Sequence, residues 1–154
     1  MSDTIEKRLA ALGVTIPTAA APAANYLPFV QTGTLMMTAG QLPLVGGKLE
    51  ATGLLGRDLD TEAGKRAAKL CAINILAQIK AATGDLEKIA RIVKITVFVA
   101  STPDFTEQHL VANGASDFLA EALGDAGKHA RSAVGVAVLP LNAPVEIEAI
   151  VELK

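Results

Sequence analysis

The segment H-A-R-S-A-V-G-V-A-V-L-P-L-N-A-P-V-E-I-E-A-I-V-E-L-K, residues 129–154, contains two short apolar runs. The runs cover residues 132–139 and 145–153, and two prolines and an asparagine between them are residue types that favour turns. The pattern predicts two β-strands that either form a hairpin or lie as near neighbours in one sheet.

Charged side chains accompany both predicted strands. Arg131 lies at the start of the first, and Glu146 and Glu148 lie two residues apart in the second, so the two carboxylates share one face of that strand. The ordinary interpretation is that these charges are solvated or form surface ion pairs. The alternative is that the guanidinium and the carboxylates bind and convert a small anionic substrate.

Three motifs follow one another along the chain with compatible gaps. They are A-P-A-A-N-Y-L-P-F-V-Q-T-G-T-L-M-M-T-A-G-Q-L-P-L at 21–44, G-D-L-E-K-I-A-R-I-V-K-I-T-V-F-V at 84–99, and A-R-S-A-V-G-V-A-V-L-P at 130–140, which V-E-I-E-A-I follows. Together they resemble the reactive-intermediate deaminase family (RidA/YjgF, formerly called L-PSP endoribonuclease). The resemblance covers residues 21–154, which we expect to be a single domain; residues 1–20 are expected to form an N-terminal helical extension and connector.

Hydrophobic periodicity predicts the order β-β-(β)-α-β-α-β-β after a short helix over residues 4–12. The first long helix is expected to begin at Asp60 or Thr61 and to stop at Gly84, and the second to begin near Pro103 and to run to about Leu123. This is an α+β fold: one mixed β-sheet with two long helices packed on one face, plus a short N-terminal helix. The resemblance implies the chorismate-mutase-like fold and a homotrimer with its sites in clefts between subunits.

The resemblance also implies roles for residues of the candidate site. Arg131, in A-R-S, matches the arginine that binds the substrate carboxylate, and a guanidinium offers a planar two-pronged fork that a lysine cannot copy. Glu146 matches the glutamate that orients water or moves a proton, and Glu148 is interpreted as structural. Asn113 matches an asparagine near the site, although a polar residue on a helix surface is the alternative. The backbone around Gly40 and Ala133 is expected to line the pocket.

Three positions depart from the family pattern. Phe29 stands where these deaminases typically have Tyr, Ala39 where they have Ser, and Ala133 where they have Cys. The anion-binding arginine is kept while three polar groups are lost. The chain is therefore predicted to be a divergent branch, whose pocket takes a bulkier or more apolar acid or binds an acid without converting it.

Composition excludes several classes of function. The net charge is −2, no Lys/Arg cluster occurs and Trp is absent, so neither a nucleic-acid surface nor a ribonuclease is expected. Cys71 is the single cysteine, predicted to be buried, and it suits a reducing compartment. No apolar run has the length of a membrane span and no signal peptide is visible, so a cytoplasmic location is expected. His109 and His129 lack metal-ligand spacing and are predicted to lie at the surface.

These observations give two functional hypotheses. In the first, the protein hydrolyses reactive enamine or imine intermediates of small carboxylic acids to 2-oxo acids and ammonia, with neither a metal nor an organic cofactor. In the second, it is a trimer that binds a small carboxylate-bearing metabolite without turnover, as a sensor or regulator.

Overall fold

The computed structural model describes residues 3–22 and 24–154. Its α-helices are α1 (Ile5–Ala11), α2 (Thr61–Thr83) and α3 (Gln108–Leu123). Its β-strands are β1 (Phe29–Thr32), β2 (Leu35–Thr38), β3 (Leu44–Val45), β4 (Lys48–Leu49), β5 (Ile89–Ala100), β6 (Ala130–Val136) and β7 (Val145–Leu153). Short 3₁₀ turns precede β5, β6 and β7.

Five of the strands form one mixed sheet in the order β1-β2-β7-β5-β6. Strands β5 and β6 are parallel, the other neighbouring pairs are antiparallel, and β3 and β4 form a separate small hairpin. Helices α2 and α3 pack against each other and against one face of this sheet. The α+β fold expected from the sequence is therefore confirmed.

The two terminal strands β6 and β7 do not form a hairpin, because β5 lies between them. The chain leaves β6 and crosses the end of β5, where Ser101 N–H donates to the Val136 carbonyl and Ala100 N–H donates to the Pro144 carbonyl. The hairpin alternative was therefore wrong, and the near-neighbour alternative is confirmed. Turn residues between two strands do not specify whether those strands pair with each other or with a third strand.

The caps of α2 lie where the sequence predicted them. Asp60 is the N-cap, and its carboxylate accepts a hydrogen bond from Ala63 N–H at 2.8 Å. Gly84 ends the helix in the left-handed conformation, at φ 76°, which costs glycine little. Cys71 is fully buried in the apolar stripe of this helix, where burial raises the pKa of its thiol, so the predicted role as a small buried hydrophobe is confirmed.

The second long helix begins later than predicted. Pro103 lies in a turn closed by Phe105 N–H donating to the Thr102 carbonyl, and α3 begins only at Gln108. The residue before Pro is driven away from helical dihedrals, so a Ser-Thr-Pro-Asp sequence fits a turn as well as a helix start.

Strand β5 carries two irregularities, between Ile89 and Arg91 and between Ile92 and Lys94. Each shifts the alternation of side chains, so Ile92 is fully buried together with Ile95. Regular alternation would place Ile92 on the opposite face of the sheet from Ile95.

Helix α1 belongs to the same core as the sheet and the long helices. Thr4 caps it, and Ile5 and Leu9 are buried in the main hydrophobic cluster. The Glu87 side chain accepts a hydrogen bond from Ile5 N–H at 2.6 Å. A division of the chain near residue 20 stays a prediction. Within residues 3–22 and 24–154 no helix has the length and apolarity needed to cross a membrane; location in the cytoplasm stays a prediction.

Candidate active site

Arg131 lies on the edge strand β6 and faces the helices. It is in register with Ile95 of β5, which is fully buried in the core beneath α2 and α3. Its Nη1 atom donates to Asn113 Oδ1 at 2.8 Å and to Ser116 Oγ at 3.1 Å, and Nη2 donates to the His109 carbonyl at 3.1 Å. Helix α3 therefore holds the guanidinium at three points.

The guanidinium keeps part of its hydrogen-bonding capacity. An arginine has five N–H groups, and the three bonds to α3 use both groups of Nη1 and one of Nη2. The Nε–H and one Nη2–H of Arg131 have no protein partner among the described residues. These two atoms can together bind the two oxygens of one carboxylate.

Asn113 is a direct neighbour of Arg131. It lies on α3, half-buried, and its side-chain oxygen is bonded to the guanidinium of Arg131. Its role is to orient the arginine, because the amide oxygen accepts from Nη1. Ala133 lies two residues after Arg131 on β6, in register with the buried Val97, and packs against the core. It contributes a methyl group, not a thiol, to this side of the sheet.

Glu146 lies on the other face of the sheet. Strand β7 alternates strictly, with Val145 and Ile147 buried against the helices and Glu146 and Glu148 turned to the open face. Partial burial raises the pKa of the Glu146 carboxyl, and the neighbouring Glu148 carboxylate raises it further. A carboxyl with a raised pKa exchanges protons closer to neutral pH than an exposed glutamate does.

Gly40 lies against the Glu146 side chain. A Cβ at Gly40 would lie 2.8 Å from Glu146 Cδ and 3.1 Å from Glu146 Cγ, closer than carbon atoms pack. The next residue, Gln41, exchanges two backbone hydrogen bonds with Ile147, at 2.8 and 3.0 Å, and this fixes the segment beside β7. The absence of a side chain at residue 40 therefore makes room for the carboxylate.

Phe29 and Ala39 lie close to each other at the start of β1 and the end of β2. Phe29 is in register with Thr38 and packs against the core, while Ala39 N–H donates to the Pro28 carbonyl at 2.8 Å. Neither side chain offers a hydroxyl to Glu146.

The structure thus arranges the predicted residues as two half-sites on opposite faces of the sheet. Arg131 and Asn113, with Ala133 nearby, form one of them on the helix-covered face. Gly40 and Glu146 form the other, while Phe29 of β1 packs against the core and Ala39 links β2 to Gly40. One chain alone does not bring Arg131 and Glu146 into one pocket, although the sequence pattern placed both in a single site.

A cavity of about 960 Å³ opens beside the second half-site. Ala39 and Gly40 form part of its wall, the N-terminal connector forms another, and Leu70 and Ile73 of α2 contribute apolar side chains. Two side-chain amides of α2 bind these walls. Gln78 Nε2 donates to the Ala20 carbonyl, and Asn74 Nδ2 donates to the carbonyls of Leu42 and Leu44. The cavity has space for an apolar group much larger than a methyl.

Sequence reasoning missed two residues next to Arg131. Ser116 Oγ is 2.9 Å from His129 Nε2, and His129 is half-buried, not a free surface residue as predicted. His109 is exposed, as expected. In the described part of the chain, no three His, Cys, Asp or Glu side chains are grouped so as to hold a metal ion.

Comparison with known proteins identifies relatives over almost the whole chain. A curated relative, protein TCP17 of Trypanosoma cruzi, is 48% identical over 155 residues, which are 99% of this chain and 96% of that protein. The 2-iminobutanoate/2-iminopropanoate deaminase of Salmonella typhimurium is 36% identical over 138 residues, 88% of this chain and 94% of that protein. The crystal structure of Atu1372, a protein of unknown function from Agrobacterium tumefaciens, matches with a TM-score of 0.92 at 58% identity. The match covers 97% of this chain and 92% of the Atu1372 chain.

A protein-family model also matches the chain. It is described as "YjgF/chorismate mutase-like, putative endoribonuclease", and the match runs over residues 6–153. This match, the sheet with its two long helices and the deaminase relative agree with the resemblance found in the sequence motifs. The chain therefore belongs to the YjgF/RidA family.

Proposed function

We propose that this protein hydrolyses reactive imines or enamines of small carboxylic acids, giving 2-oxo acids and ammonia, in clefts between the subunits of a homotrimer. The observation that carries the proposal is the guanidinium of Arg131, which α3 holds at three points while its Nε–H and one Nη2–H remain available. The deaminase relative from Salmonella typhimurium supports the reaction class.

The geometry of the half-sites supports a cleft between subunits. Arg131 and Glu146 lie on opposite faces of one sheet, so a single pocket that uses both must take them from two copies of the chain. The open face of the sheet carries apolar as well as charged side chains, among them Phe98, which is in register with Glu146. Such a mixed face is suited to contact with another subunit.

The chemistry needs few groups. The substrate carboxylate binds the available edge of Arg131, and Glu146 accepts a proton from a water molecule that adds to the imine carbon. Glu146 returns that proton to the nitrogen, which gives the carbinolamine. The hydroxyl proton of the carbinolamine then passes through Glu146 to the nitrogen, the carbon–nitrogen bond breaks, and ammonia leaves as the carbon–oxygen double bond of the 2-oxo acid forms. The raised pKa of Glu146 suits a group that both accepts and returns a proton.

The substrate side chain is proposed to be apolar and larger than that of alanine. Gly40, which lies against the Glu146 side chain, forms part of the wall of the cavity of about 960 Å³, and apolar side chains of α2 line that cavity. Transfer of an apolar side chain from water into this cavity would favour binding by roughly 25 cal/mol of free energy for each Å² of apolar surface buried.

A second candidate function is binding without turnover. Phe29, Ala39 and Ala133 bring no hydroxyl or thiol to either half-site, so fewer groups are present to hold a water molecule and the substrate nitrogen. Under this alternative the protein binds 2-oxo acids or aromatic acids through Arg131 and does not accelerate imine hydrolysis.

An imine-trapping experiment distinguishes the two functions. An amino-acid oxidase generates 2-imino acids, semicarbazide traps them, and the protein is tested for its ability to lower trapping. Wild type is expected to lower it, Arg131→Ala to abolish the effect, and Arg91→Ala, which removes an exposed arginine of β5, to retain it. No effect of wild type over a range of amino acids, together with saturable binding of 2-oxo acids, would establish the binding function instead.

A further inference from the structure

Three hydrogen bonds connect Arg131 to a backbone carbonyl through a hydroxyl and an imidazole. Arg131 Nη1 lies 3.1 Å from Ser116 Oγ, Ser116 Oγ lies 2.9 Å from His129 Nε2, and His129 Nδ1 lies 2.6 Å from the Gly127 carbonyl oxygen. The groups come from α3, from the 3₁₀ turn after it and from the start of β6. The proposed imine hydrolysis uses Ser116 only to hold Arg131, and it gives no role to His129 or to the Gly127 carbonyl.

The directions of these hydrogen bonds follow from the chemistry of the groups. The carbonyl oxygen of Gly127 can only accept, so Nδ1 of His129 carries the hydrogen. In the neutral imidazole Nε2 is then an acceptor, and Ser116 must donate its O–H to it. The guanidinium of Arg131 can only donate, so Ser116 Oγ accepts from it. The donors therefore follow one order: Arg131 donates to Ser116, Ser116 donates to His129, and His129 donates to the Gly127 carbonyl.

This arrangement meets the requirements for an activated nucleophile. A serine hydroxyl becomes a useful nucleophile when a base within hydrogen-bond reach removes its proton and a third group orients that base. Here His129 Nε2 is the base, and the Gly127 carbonyl fixes both its tautomer and its ring orientation. We propose that Ser116 is a nucleophile activated by His129, and that the protein has a second hydrolytic activity toward small esters, separate from imine hydrolysis.

The three groups open onto one cavity. A surface cavity of about 310 Å³ is lined by Ser116, His129 and Arg131, together with Ala120, Gly127 and Lys128. This is the lower end of the size of ligand sites in proteins, so it suits a short acyl group. Lys128 is exposed and paired with Asp125 at 3.0 Å, so Arg131 is the cation closest to the hydroxyl.

The proposed reaction balances with water as the other reactant. Ser116 Oγ attacks the ester carbonyl carbon while its proton passes to His129 Nε2, and the negative oxygen that forms is stabilised by the guanidinium of Arg131. The carbon–oxygen bond to the alcohol breaks, and the alcohol leaves with the proton from His129. Water then hydrolyses the acyl group on Ser116 with His129 as base, which releases the acid and restores the hydroxyl.

A fluorophosphonate probe tests the nucleophile directly in the full-length wild-type protein. Such reagents form a stable bond to an activated serine oxygen, with loss of fluoride, and mass spectrometry of peptides locates the adduct. We expect the adduct on Ser116, and none on Ser132, which is exposed on β6. Mapping in wild type does not depend on the folding of any variant. No adduct, or an adduct on a different serine, would overturn the proposal.

Matched variants then test whether the reactivity of Ser116 depends on His129 and not only on the exposure of its hydroxyl. His129→Gln keeps a similar volume but removes the base, and we expect the rates of labelling and of p-nitrophenyl acetate hydrolysis to fall about a hundredfold or more. Ser116→Ala should abolish both, and Ser132→Ala should leave both unchanged. Thermal unfolding confirms that each variant is folded. Unchanged rates in a folded His129→Gln protein would contradict activation by the imidazole, whatever the result of the imine-trapping experiment.

Discussion

Arg131 and Glu146 face opposite sides of the same β-sheet. Arg131 is in register with Ile95 and, across β5, with Ala149, and both of these residues are buried under the helices. Glu146 is in register with Phe98, on the open face of the sheet. Strand β5 lies between their strands. The two residues are the acid-binding and proton-moving groups of the proposed reaction, so the proposal predicts a site that no single chain completes.

Subunit mixing tests this relationship. Arg131→Ala and Glu146→Gln are each expected to be inactive, but the proposed trimer, refolded from equal amounts of both, is expected to recover about a quarter of wild-type activity. A cleft is intact only when its arginine comes from the Glu146→Gln subunit and its glutamate from the Arg131→Ala subunit. With random mixing of equal amounts this holds for about one cleft in four. Imine trapping measures the recovery, and a simple mixture of the two folded, unexchanged variants is the control. Failure of the refolded mixture to exceed that control would place both groups in one subunit.

Replacement of Arg131 by lysine tests the need for a fork of two N–H groups. Lys keeps the charge, but it cannot donate from three points to α3 and also offer a planar pair of donors to a carboxylate. We expect Arg131→Lys to weaken binding of a 2-oxo acid such as pyruvate by about tenfold or more, since hydrogen bonds to charged groups contribute ~1.5–3 kcal/mol. Isothermal titration measures the affinity.

Asn113→Ala is the companion change. It removes one of the three bonds that orient the guanidinium but leaves the cation in place, so a smaller loss of pyruvate affinity is expected than for Arg131→Lys. Equal affinities in wild type and in both variants would show that the carboxylate binds elsewhere.

Much of the fold could be predicted because local signals and tertiary structure agree. Asp60 and Gly84 mark the ends of α2, and the alternation of buried and outward residues in β7 follows the sequence pattern. Pro103 misled the prediction for α3, because the same residues fit a turn. The place of β5 between β6 and β7 is a long-range pairing, which turn residues do not encode.

The candidate site was only partly predictable for the same reason. Arg131, Glu146 and Asn113 were proposed from motifs, and the chemistry open to them follows from residue type. The pairing of Ser116 with His129 depends on how the turn after α3 returns the chain beside that helix, so neither residue has a sequence signal. The assignment of Arg131 and Glu146 to opposite faces requires the strand order, because period-two alternation within each strand does not relate one strand to another.

Gly40→Ala tests whether the open space at residue 40 positions the carboxylate. The added Cβ would lie 2.8 Å from Glu146 Cδ, so the flexible side chain of Glu146 must move. We expect imine hydrolysis to fall by about a hundredfold, as misplacement of a reacting group by about 1 Å can do, with little change in thermal stability. The control is the double variant with Glu146→Ala, compared with Glu146→Ala alone by its affinity for pyruvate: in that background Gly40→Ala should leave the affinity unchanged. A loss of affinity there would indicate that Gly40 acts through another contact.

Glu146→Gln tests the raised pKa of Glu146 through the stability of the fold. Burial, and secondarily Glu148, holds the native pKa above the ordinary glutamate value of 4.5, so the folded protein binds this proton more tightly than the unfolded chain. Wild type therefore loses stability as the pH rises from about 4.5 through the raised pKa, and the loss is complete above it. Glutamine resembles the neutral acid and does not ionise, so the variant does not lose stability in this way as the pH rises.

The free energy of unfolding of Glu146→Gln, relative to wild type, is accordingly expected to rise over that pH range and to be smallest in acid, where both side chains are neutral. Urea unfolding between about pH 4 and pH 8 measures the difference, at one protein concentration because association of the proposed trimer would contribute to stability. Glu148→Gln is the matched change: it removes the neighbouring charge that raises the pKa, so it should shrink the pH dependence and leave the carboxyl in place. A difference that falls as the pH rises would mean that Glu146 is stabilised as the anion, and a positive group of a partner subunit would then have to lie beside it.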